Sequence, residues 1–264
     1  MKPVVFLGGG RITNALLAGL RLAKDRRQVI VYDRHPEKLR QLKKLYGAAI
    51  ERDLREAVRA AGILIVAVRP SSVAELLQEV GAIDRPQIAV SLAAGVPLAN
   101  LRRWLGPPVH WARAMPSPAC RTRNGLTALA WDRRFPANRK KEIKQLFAQV
   151  GAVLDIEERR FDAFTVTFSC SHGYHAVATL AKEAEKLGLD RKTALLAASH
   201  ALGDAITTWR AGGTSLEELL HEAATPGGTA AATMEGMNRA GYGRAVQKGL
   251  AAGFSRSRKN AKLR

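Results

Sequence analysis

The sequence predicts an α/β domain with a doubly wound parallel sheet, followed by an all-α domain. Two observations predict this fold. In the first part of the chain, short apolar runs alternate with helical segments of about a dozen residues, as in parallel sheets with helices on both faces. From Arg159 onward, helical patterns continue without a convincing strand. We therefore place a boundary near Glu158, which gives domains at residues 1–158 and 159–264.

The elements of the first domain follow from apolar runs bounded by turn residues. Strands are predicted at residues 4–7, 28–32, 63–68, 87–91, 109–114, 125–130 and 153–156. The helical segments between them are predicted at residues 13–23, 53–61, 71–80, 97–104 and 140–150, with one more opening at Pro36.

The second domain is predicted to consist of helices. Residues 161–186 have the pattern of one long helix that is apolar or small around much of its circumference, so we expect it to pack against a partner chain. Further helices are predicted at residues 191–210, ending at Gly212-Gly213, and at residues 215–222, 229–239 and 243–259. A homodimer or a higher homo-oligomer is expected.

Composition favours a globular protein of the reducing cytoplasm. Hydrophobic residues make up 47% of the 264 residues, which suits a packed core. We expect no signal peptide, and no apolar stretch reaches the roughly 18 residues that a membrane span needs. Cys120 and Cys170 form no CxxC pair.

The net charge of +19 permits two interpretations. It could indicate nucleic-acid binding, or it could reflect a solvated basic surface that also attracts an anionic cofactor. The sequence contains no helix-turn-helix, zinc-finger or RNP signature, so nucleic acid is the less favoured partner.

A glycine-rich turn joins the first strand to the first helix. Gly8 and Gly10 match the first two glycines of the dinucleotide-binding fingerprint, and Thr13 occupies the third position. Such a turn lets backbone amides and the positive end of the helix hold a pyrophosphate. The alternative is a plain glycine turn, but its place in the alternating pattern favours a Rossmann-type domain. The predicted cofactor contacts here are Gly8, Gly10, Arg11 and Ile12.

The end of the second strand bears on the choice of cofactor. Asp33 lies roughly 20 residues beyond the turn, where it could accept a hydrogen bond from a ribose hydroxyl and favour NAD. Arg34 could instead pair with a 2′-phosphate and favour NADP. The two arguments nearly cancel, and the positive field of the protein leans slightly to NADP.

The order of the motifs resembles that of the pyrroline-5-carboxylate reductase family. The resemblance is carried by the glycine turn and by the segments ILIVAVRP (residues 63–70), SLAAGV (91–96), RAMPSP (113–118), GLTALA (125–130) and TPGGT (225–229). It implies a Rossmann domain and a helical dimerisation domain that interlocks with a partner. It also implies reduction of a cyclic imine carboxylate by NADPH or NADH, as in proline biosynthesis, where 1-pyrroline-5-carboxylate becomes L-proline.

The resemblance also assigns residues. It implies that Ala67, Val68, Arg69 and Pro70 lie along the cofactor. It implies that the TPGGT loop holds the substrate carboxylate through backbone amides, with substrate contacts at Thr225, Gly227, Gly228, Thr229 and Ala230. Glycines expose amides at a helix start, so this role is chemically reasonable. The alternative is that Thr225 simply caps the helix that begins near Thr229.

Three departures from the family pattern cluster in its substrate half. Ala230 stands where the family has a threonine that bonds the ring nitrogen. The small-residue start of a helix is replaced by SCSHGYH (residues 169–175), and MPSPA (115–119) lacks an asparagine. We therefore consider His172 and Thr229 as candidate catalytic donors, with His175 as a second choice. The histidines could instead pack at a subunit interface, and a metal site is not favoured. The substrate could be another cyclic imine, or catalysis could be altered or lost.

Overall fold

The computed structural model describes residues 2–263 and divides the chain into two compact units. The first unit contains the chain up to Phe168 together with the C-terminal residues from Ala252, and the second contains Ser169–Ala251. The boundary that we predict at residue 158 falls at the start of a helix of the first unit, Glu158–Thr167.

The first unit is built on an eight-stranded sheet. Its strands are β1 (Val4–Leu7), β2 (Val29–Tyr32), β3 (Ala49–Glu51), β4 (Ile63–Val66), β5 (Gln87–Ser91), β6 (Val109–Pro116), β7 (Gly125–Trp131) and β8 (Gly151–Asp155). The order in the sheet is β3-β2-β1-β4-β5-β6-β7-β8. The chain thus leaves β1 toward one edge and returns to continue toward the other, which confirms the doubly wound fold.

Helices cover both faces of this sheet. They are α1 (Arg11–Leu22), α2 (Pro36–Tyr46), α3 (Leu54–Ala60), α4 (Val73–Val80), α5 (Leu98–Trp104), α6 (Ala137–Ala148) and α7 (Glu158–Thr167). One buried cluster joins the sheet to α1, α2 and α6 through residues such as Leu16, Leu39 and Phe147. A second cluster joins the other face to α3, α4 and α5 through residues such as Leu77 and Leu98.

Two details of the sheet differ from the prediction. β3 was not predicted, because three residues are too short for a periodic pattern to register. β7 runs antiparallel to β6, whereas the other paired strands are parallel. The connection from β6 to β7 contains only the short 3-10 helix Pro118–Thr122, and a parallel crossover needs a dozen or more residues.

The helices of the remaining chain are α8 (Ser171–Lys186), α9 (Arg191–Ala211), α10 (Leu216–Ala223), α11 (Thr229–Arg239) and α12 (Tyr242–Ala261). No strand follows β8 among the residues that the structure describes, as predicted. The single helix predicted over residues 161–186 is wrong, because α7 and α8 are separated at Phe168–Cys170. The Ser171 amide donates to the Ser169 hydroxyl at 3.4 Å there, and such local bonds between side chain and backbone compete with helical ones.

The helical unit has very little core of its own. Its buried hydrophobic cluster consists of Ala181, Ala194 and Ala198 within the described part of the chain. Leu187 is 89% exposed and Leu196 is 58% exposed. Three buried alanines remove little apolar surface from water, so this unit needs further burial to be stable.

The C-terminal end of α12 packs within the first unit. The Asn260 side-chain amide donates to the Ala94 carbonyl at 3.1 Å, and the Asn100 amide donates to the Ala261 carbonyl at 2.7 Å. Gly95 has a φ of +75°, and a Cβ there would lie 2.6 Å from the Ser257 carbonyl oxygen. The SLAAGV segment therefore packs against the C-terminal part of α12.

Candidate functional site

The glycine turn lies between β1 and α1 and is packed tightly against the end of β4. Gly8 has a φ of +115°, and a Cβ there would lie 2.7 Å from the Ala67 carbonyl oxygen, so only glycine fits. The Gly8 amide donates to the Tyr32 carbonyl at 2.7 Å, which ties the turn to β2 as well. The turn is thus held between the two strands that flank β1.

Thr13 explains how the turn does without the third fingerprint glycine. Its side chain is completely buried, and its hydroxyl donates to the Gly8 carbonyl at 2.6 Å. The first turn of α1 is therefore bonded back to the glycine turn that precedes it. Sequence reasoning treated Thr13 only as a departure from the fingerprint.

The start of α1 suits an anion. Gly10 is its N-cap and makes no side-chain hydrogen bond, and the first turn holds no acidic residue. The amides of a first helical turn, here including Arg11 and Ile12, lack intrahelical acceptors. No heavy atom lies within 4 Å of where a Gly10 Cβ would be, so the backbone can be approached closely. These features fit the diphosphate of a dinucleotide.

Asp33 is fixed beside this turn by several donors. Its Oδ2 accepts from the Gly9 amide at 2.7 Å, and its Oδ1 accepts from the His35 amide at 2.9 Å. The His35 ring lies 2.8 Å from Oδ1, and the Lys38 ammonium lies at 3.5 Å. Burial raises the pKa of Asp33, but the bonds from Gly9 and His35 and the Lys38 charge outweigh it and lower this pKa. The carboxylate is thus ionised and held in place at the end of β2.

Arg34 is bound to α4 across the end of β1. Its Nη1 donates to Glu75 at 3.0 Å and its Nη2 donates to Glu79 at 2.6 Å. These carboxylates raise the pKa of the guanidinium further above its usual value. All three side chains are about half exposed, so the pairs are in contact with solvent.

The AVRP segment follows β4 and begins beside the glycine turn. Ala67 and Val68 are half-buried against Gly8, whereas Arg69 is exposed. Pro70 opens the 3-10 helix Pro70–Ser72, which leads directly into α4. The structure therefore brings together the cofactor residues that we predict after β1, β2 and β4. Their contact with a cofactor stays a prediction.

The TPGGT loop lies in the helical unit, immediately before α11. The Gly228 amide donates to the Thr225 carbonyl at 2.9 Å, and Gly227 has a φ of +76°. Gly228 is the N-cap of α11, which has no side-chain cap, so Thr225 does not cap this helix. Thr229 and Ala230 are exposed in its first turn, which contains no acidic residue. The free amides of this turn are suited to a carboxylate.

The two histidines of interest open α8. Both are exposed, His172 in the first turn, which begins at Ser171, and His175 at the start of the second turn. Their roles as donors stay predictions. Over residues 2–263, no group of three or more His, Cys, Asp or Glu side chains is arranged to hold a metal ion. Nor does that part of the chain contain a helix long and apolar enough to cross a membrane.

A cavity of about 560 Å³ opens at the amino ends of the central strands, at the end of the sheet opposite the glycine turn. Its lining includes Lys2, Gly62 and His110, and none of the site residues that we predict. Two arginines in it are engaged by the fold, because Arg85 donates to the Val58, Arg59 and Ala61 carbonyls and Arg139 donates to the Gly62 carbonyl.

Known proteins match this chain over nearly its whole length. A family model for pyrroline-5-carboxylate reductase dimerisation matches residues 158–260, and one described as NADP oxidoreductase coenzyme F420-dependent matches residues 3–95. The pyrroline-5-carboxylate reductase of Mycobacterium tuberculosis is 31% identical, over 97% of this chain and 96% of the relative. The chain belongs to the pyrroline-5-carboxylate reductase family. This confirms the family predicted from the order of the motifs.

Other members of the family agree. The pyrroline-5-carboxylate reductase of Corynebacterium melassecola is 28% identical, over 97% of this chain and 98% of its own length. The Streptococcus pyogenes 1-pyrroline-5-carboxylate reductase structure superposes with a TM-score of 0.90, at 20% identity over 97% of this chain and 98% of that one. The Plasmodium falciparum pyrroline carboxylate reductase with NADP bound gives 0.88, at 18% identity over 98% of both chains. At these identities the superpositions show the shared fold.

Sequence reasoning missed the groups that hold the side chains of Asp33 and Arg34 in place. Glu75 and Glu79 were not considered, although two glutamates four residues apart on a helix share one face. The sequence predicts no role for Gly9, the middle residue of the turn, yet its amide donates to Asp33.

Proposed function

We propose that this protein is an NAD(P)H-dependent reductase of a cyclic imine carboxylate, with 1-pyrroline-5-carboxylate as substrate and L-proline as product. The observation that carries this proposal is the 31% identity to the Mycobacterium tuberculosis enzyme over 97% of the chain. The local geometry supports it, because an anion-binding turn starts α1 and a glycine loop with free amides starts α11.

The residues around β1 would hold the cofactor. The amides of Gly10, Arg11 and Ile12 would donate to the diphosphate, and Gly8 keeps the turn close to β4. Asp33 and Arg34 would meet the adenosine ribose, and Ala67–Pro70 would flank the dinucleotide. When bound, NADPH or NADH supplies the hydride that reduces the carbon–nitrogen double bond.

The residues at the start of α11 would orient the substrate. Thr229 and Ala230 present amides that can donate to the substrate carboxylate. The Gly228 amide is bonded to the Thr225 carbonyl, so Gly228 would contribute a turn that leaves room for the substrate, and Gly227 allows that turn to be tight. A protonated imine is the better hydride acceptor, so a donor near the ring nitrogen is expected to help. Ala230 has no hydroxyl for this task, which leaves the Thr229 hydroxyl and the His172 imidazole as our candidates.

The assay that tests this function follows the near-ultraviolet absorbance of NADPH or NADH with pyrroline-5-carboxylate and a panel of related cyclic imines. Substrate-dependent loss of absorbance with L-proline as product is expected. His172→Ala is expected to lower kcat/KM by about 100-fold or more, as loss of a general acid does. Exposed His200→Ala is the matched control. Unchanged kcat/KM in both variants would remove His172 from the mechanism.

A second candidate function is binding of NAD(P) without turnover of a cyclic imine. Ala230 favours it, because the family resemblance places a nitrogen-bonding hydroxyl at that position. Ala230→Thr separates the two candidates. If the protein is an impaired reductase of pyrroline-5-carboxylate, this variant gains activity, and if it has become a sensor or partner protein, it does not.

The assembly that we propose is a homodimer or a higher homo-oligomer formed through the helical unit. It is supported by the dimerisation model that matches residues 158–260 and by the exposed apolar side chains of that unit. The cytoplasmic location expected from the sequence stays a prediction.

A further inference from the structure

The contacts of Arg34 bridge two segments that flank the glycine turn. Arg34 follows β2, and Glu75 and Glu79 lie on α4, which follows β4. β2 and β4 are the two neighbours of β1 in the sheet. The ion pairs of 3.0 and 2.6 Å therefore pass across the carboxyl end of β1, at the switch point where a doubly wound sheet binds its ligand.

Both ends of the guanidinium are occupied by these carboxylates. Nη1 bonds Glu75 and Nη2 bonds Glu79, so the pair of parallel Nη donors already faces two carboxylates. A phosphate binds arginine best through two parallel N–H bonds. To bind the Nη pair in this way, a phosphate must displace one or both glutamates.

These ion pairs are weak enough to exchange. The side chains of Arg34, Glu75 and Glu79 are 50%, 65% and 45% exposed. Exposed pairs of this kind contribute little net free energy, because water competes for both partners. A phosphate with nearly two negative charges can therefore replace the carboxylates at the guanidinium. The free energy needed to break the two ion pairs lowers the affinity of the protein for that phosphate.

The charges next to Arg34 determine whether NADPH or NADH must compete with the two glutamates for its guanidinium. Asp33 is held by Gly9 and His35 where a ribose hydroxyl would reach it. A 2′-phosphate on that ribose would come next to Arg34, and it would face the carboxylates of Glu75 and Glu79. NADH lacks this phosphate, so its binding does not require the Arg34 guanidinium.

Building on the proposed cofactor site, we propose that Glu75 and Glu79 act as internal competitors of a 2′-phosphate for Arg34. They thereby set the ratio of the affinities for NADPH and NADH. The two glutamates are specificity-determining residues that need not touch the cofactor, since they act through the availability of one guanidinium.

The test compares Kd values for NADPH and NADH, measured by fluorescence titration of the whole protein. In E75Q/E79Q the NADPH affinity is expected to rise about 3- to 10-fold relative to the NADH affinity, the range expected for loss of weak competing ion pairs. The charge-matched control is E37Q/E56Q, which removes two exposed glutamates that do not bind Arg34. An unchanged ratio in E75Q/E79Q, or an equal change in the control, would overturn the proposal.

A third comparison shows whether the effect passes through Arg34. In the R34A background, adding E75Q and E79Q is expected to leave the NADPH to NADH ratio unchanged beyond the control. If the same gain persists without Arg34, the glutamates act only by direct repulsion and the competition is refuted. Thermal unfolding of each variant verifies that the fold is retained.

The two proposals fail in different ways. If wild-type protein binds neither dinucleotide, both the proposed function and the competition are overturned. If it binds them but turns over no cyclic imine, only the reductase activity is overturned, and the ratio measured in E75Q/E79Q still decides the competition.

Discussion

Gly8 and Gly10 belong to the same turn, but only Gly8 has a backbone conformation that a side chain would strain. Gly10 has a φ of −77°, and its missing Cβ would point into open space. Gly10→Ala is therefore expected to keep the free energy of unfolding within about 0.5 kcal/mol of wild type. The added methyl would block a diphosphate, so the Kd for NADPH is expected to rise at least about tenfold, a cost of roughly 1.4 kcal/mol.

The comparison variant is Gly8→Ala, which is expected to lower the free energy of unfolding by about 1–3 kcal/mol through backbone strain. Urea denaturation and cofactor titration measure the two effects separately. Normal cofactor affinity in Gly10→Ala would contradict the anion-binding role of this turn.

The carboxylate of Asp33 makes the stability of the folded protein depend on pH in the acid range. Its pKa in the folded protein lies below the ordinary value of 3.8, because bonds from Gly9 and His35 favour the carboxylate more than burial opposes it. The stabilisation is thus fully present above the unfolded pKa and is lost as the pH falls through the folded pKa. Asp33→Asn is expected to lose about 1–2 kcal/mol at pH 7 and to show a smaller further loss below pH 4.

Urea denaturation at pH 7 and at about pH 3 measures the Asp33 effect, with the exposed Asp84→Asn as control. An identical loss of stability at both pH values would show that the charge of Asp33 contributes nothing.

For single residues, the sequence predicts where a site residue lies along the chain better than it predicts the hydrogen-bond and ion-pair partners of that residue. The spacing from the glycine turn correctly places Asp33 at the end of β2, because that distance is fixed by one strand-helix-strand unit. It does not reveal that Arg34 is bound by glutamates 41 and 45 residues away. Contacts between separate elements depend on tertiary packing, for which a single sequence carries no periodic signal.

Among the elements, α7 is joined to the sheet by a buried arginine. Arg113 on β6 is 2% exposed, bonds Asp162 of α7 at 2.7 Å and lies 4.3 Å from the Phe161 ring. Arg113→Met is expected to lower the free energy of unfolding by about 2–4 kcal/mol, because it leaves Asp162 without its partner. Arg159→Met, at an exposed ion pair with Glu157, is expected to leave the denaturation midpoint unchanged. Equal effects in both variants would contradict this anchoring role.

The elements also show where periodicity is a sufficient guide. β1 and β4 are buried at every position, and their continuous apolar runs, bounded by turn residues, predict them as buried strands. The break between α7 and α8 was not predicted, because both flanking segments are helical and the interruption lacks glycine and proline. The Ser169 hydroxyl accepts from the Ser171 amide at this break, and such a local bond leaves the hydrophobic pattern of the sequence unchanged.

For the whole molecule, the exposed apolar side chains of the helical unit make dimerisation the central structural expectation. Ile206 and Trp209 lie three residues apart on α9 and are 48% and 45% exposed. I206D/W209D is expected to weaken self-association at least about 100-fold, since it places two charges on an exposed apolar face of the helical unit. Leu22→Asp, at an exposed leucine of α1, is the control. Light scattering over a concentration series measures both, and a monomeric wild-type protein would contradict the assembly.

Steady-state reduction of pyrroline-5-carboxylate, measured by the absorbance of NADPH and NADH and by detection of L-proline, is the decisive test of the proposed function. We predict turnover by the wild-type protein and its loss, at subsaturating cofactor, in the stably folded Gly10→Ala variant. A protein that binds the dinucleotide yet leaves its absorbance unchanged with every cyclic imine in the panel would contradict the proposed function.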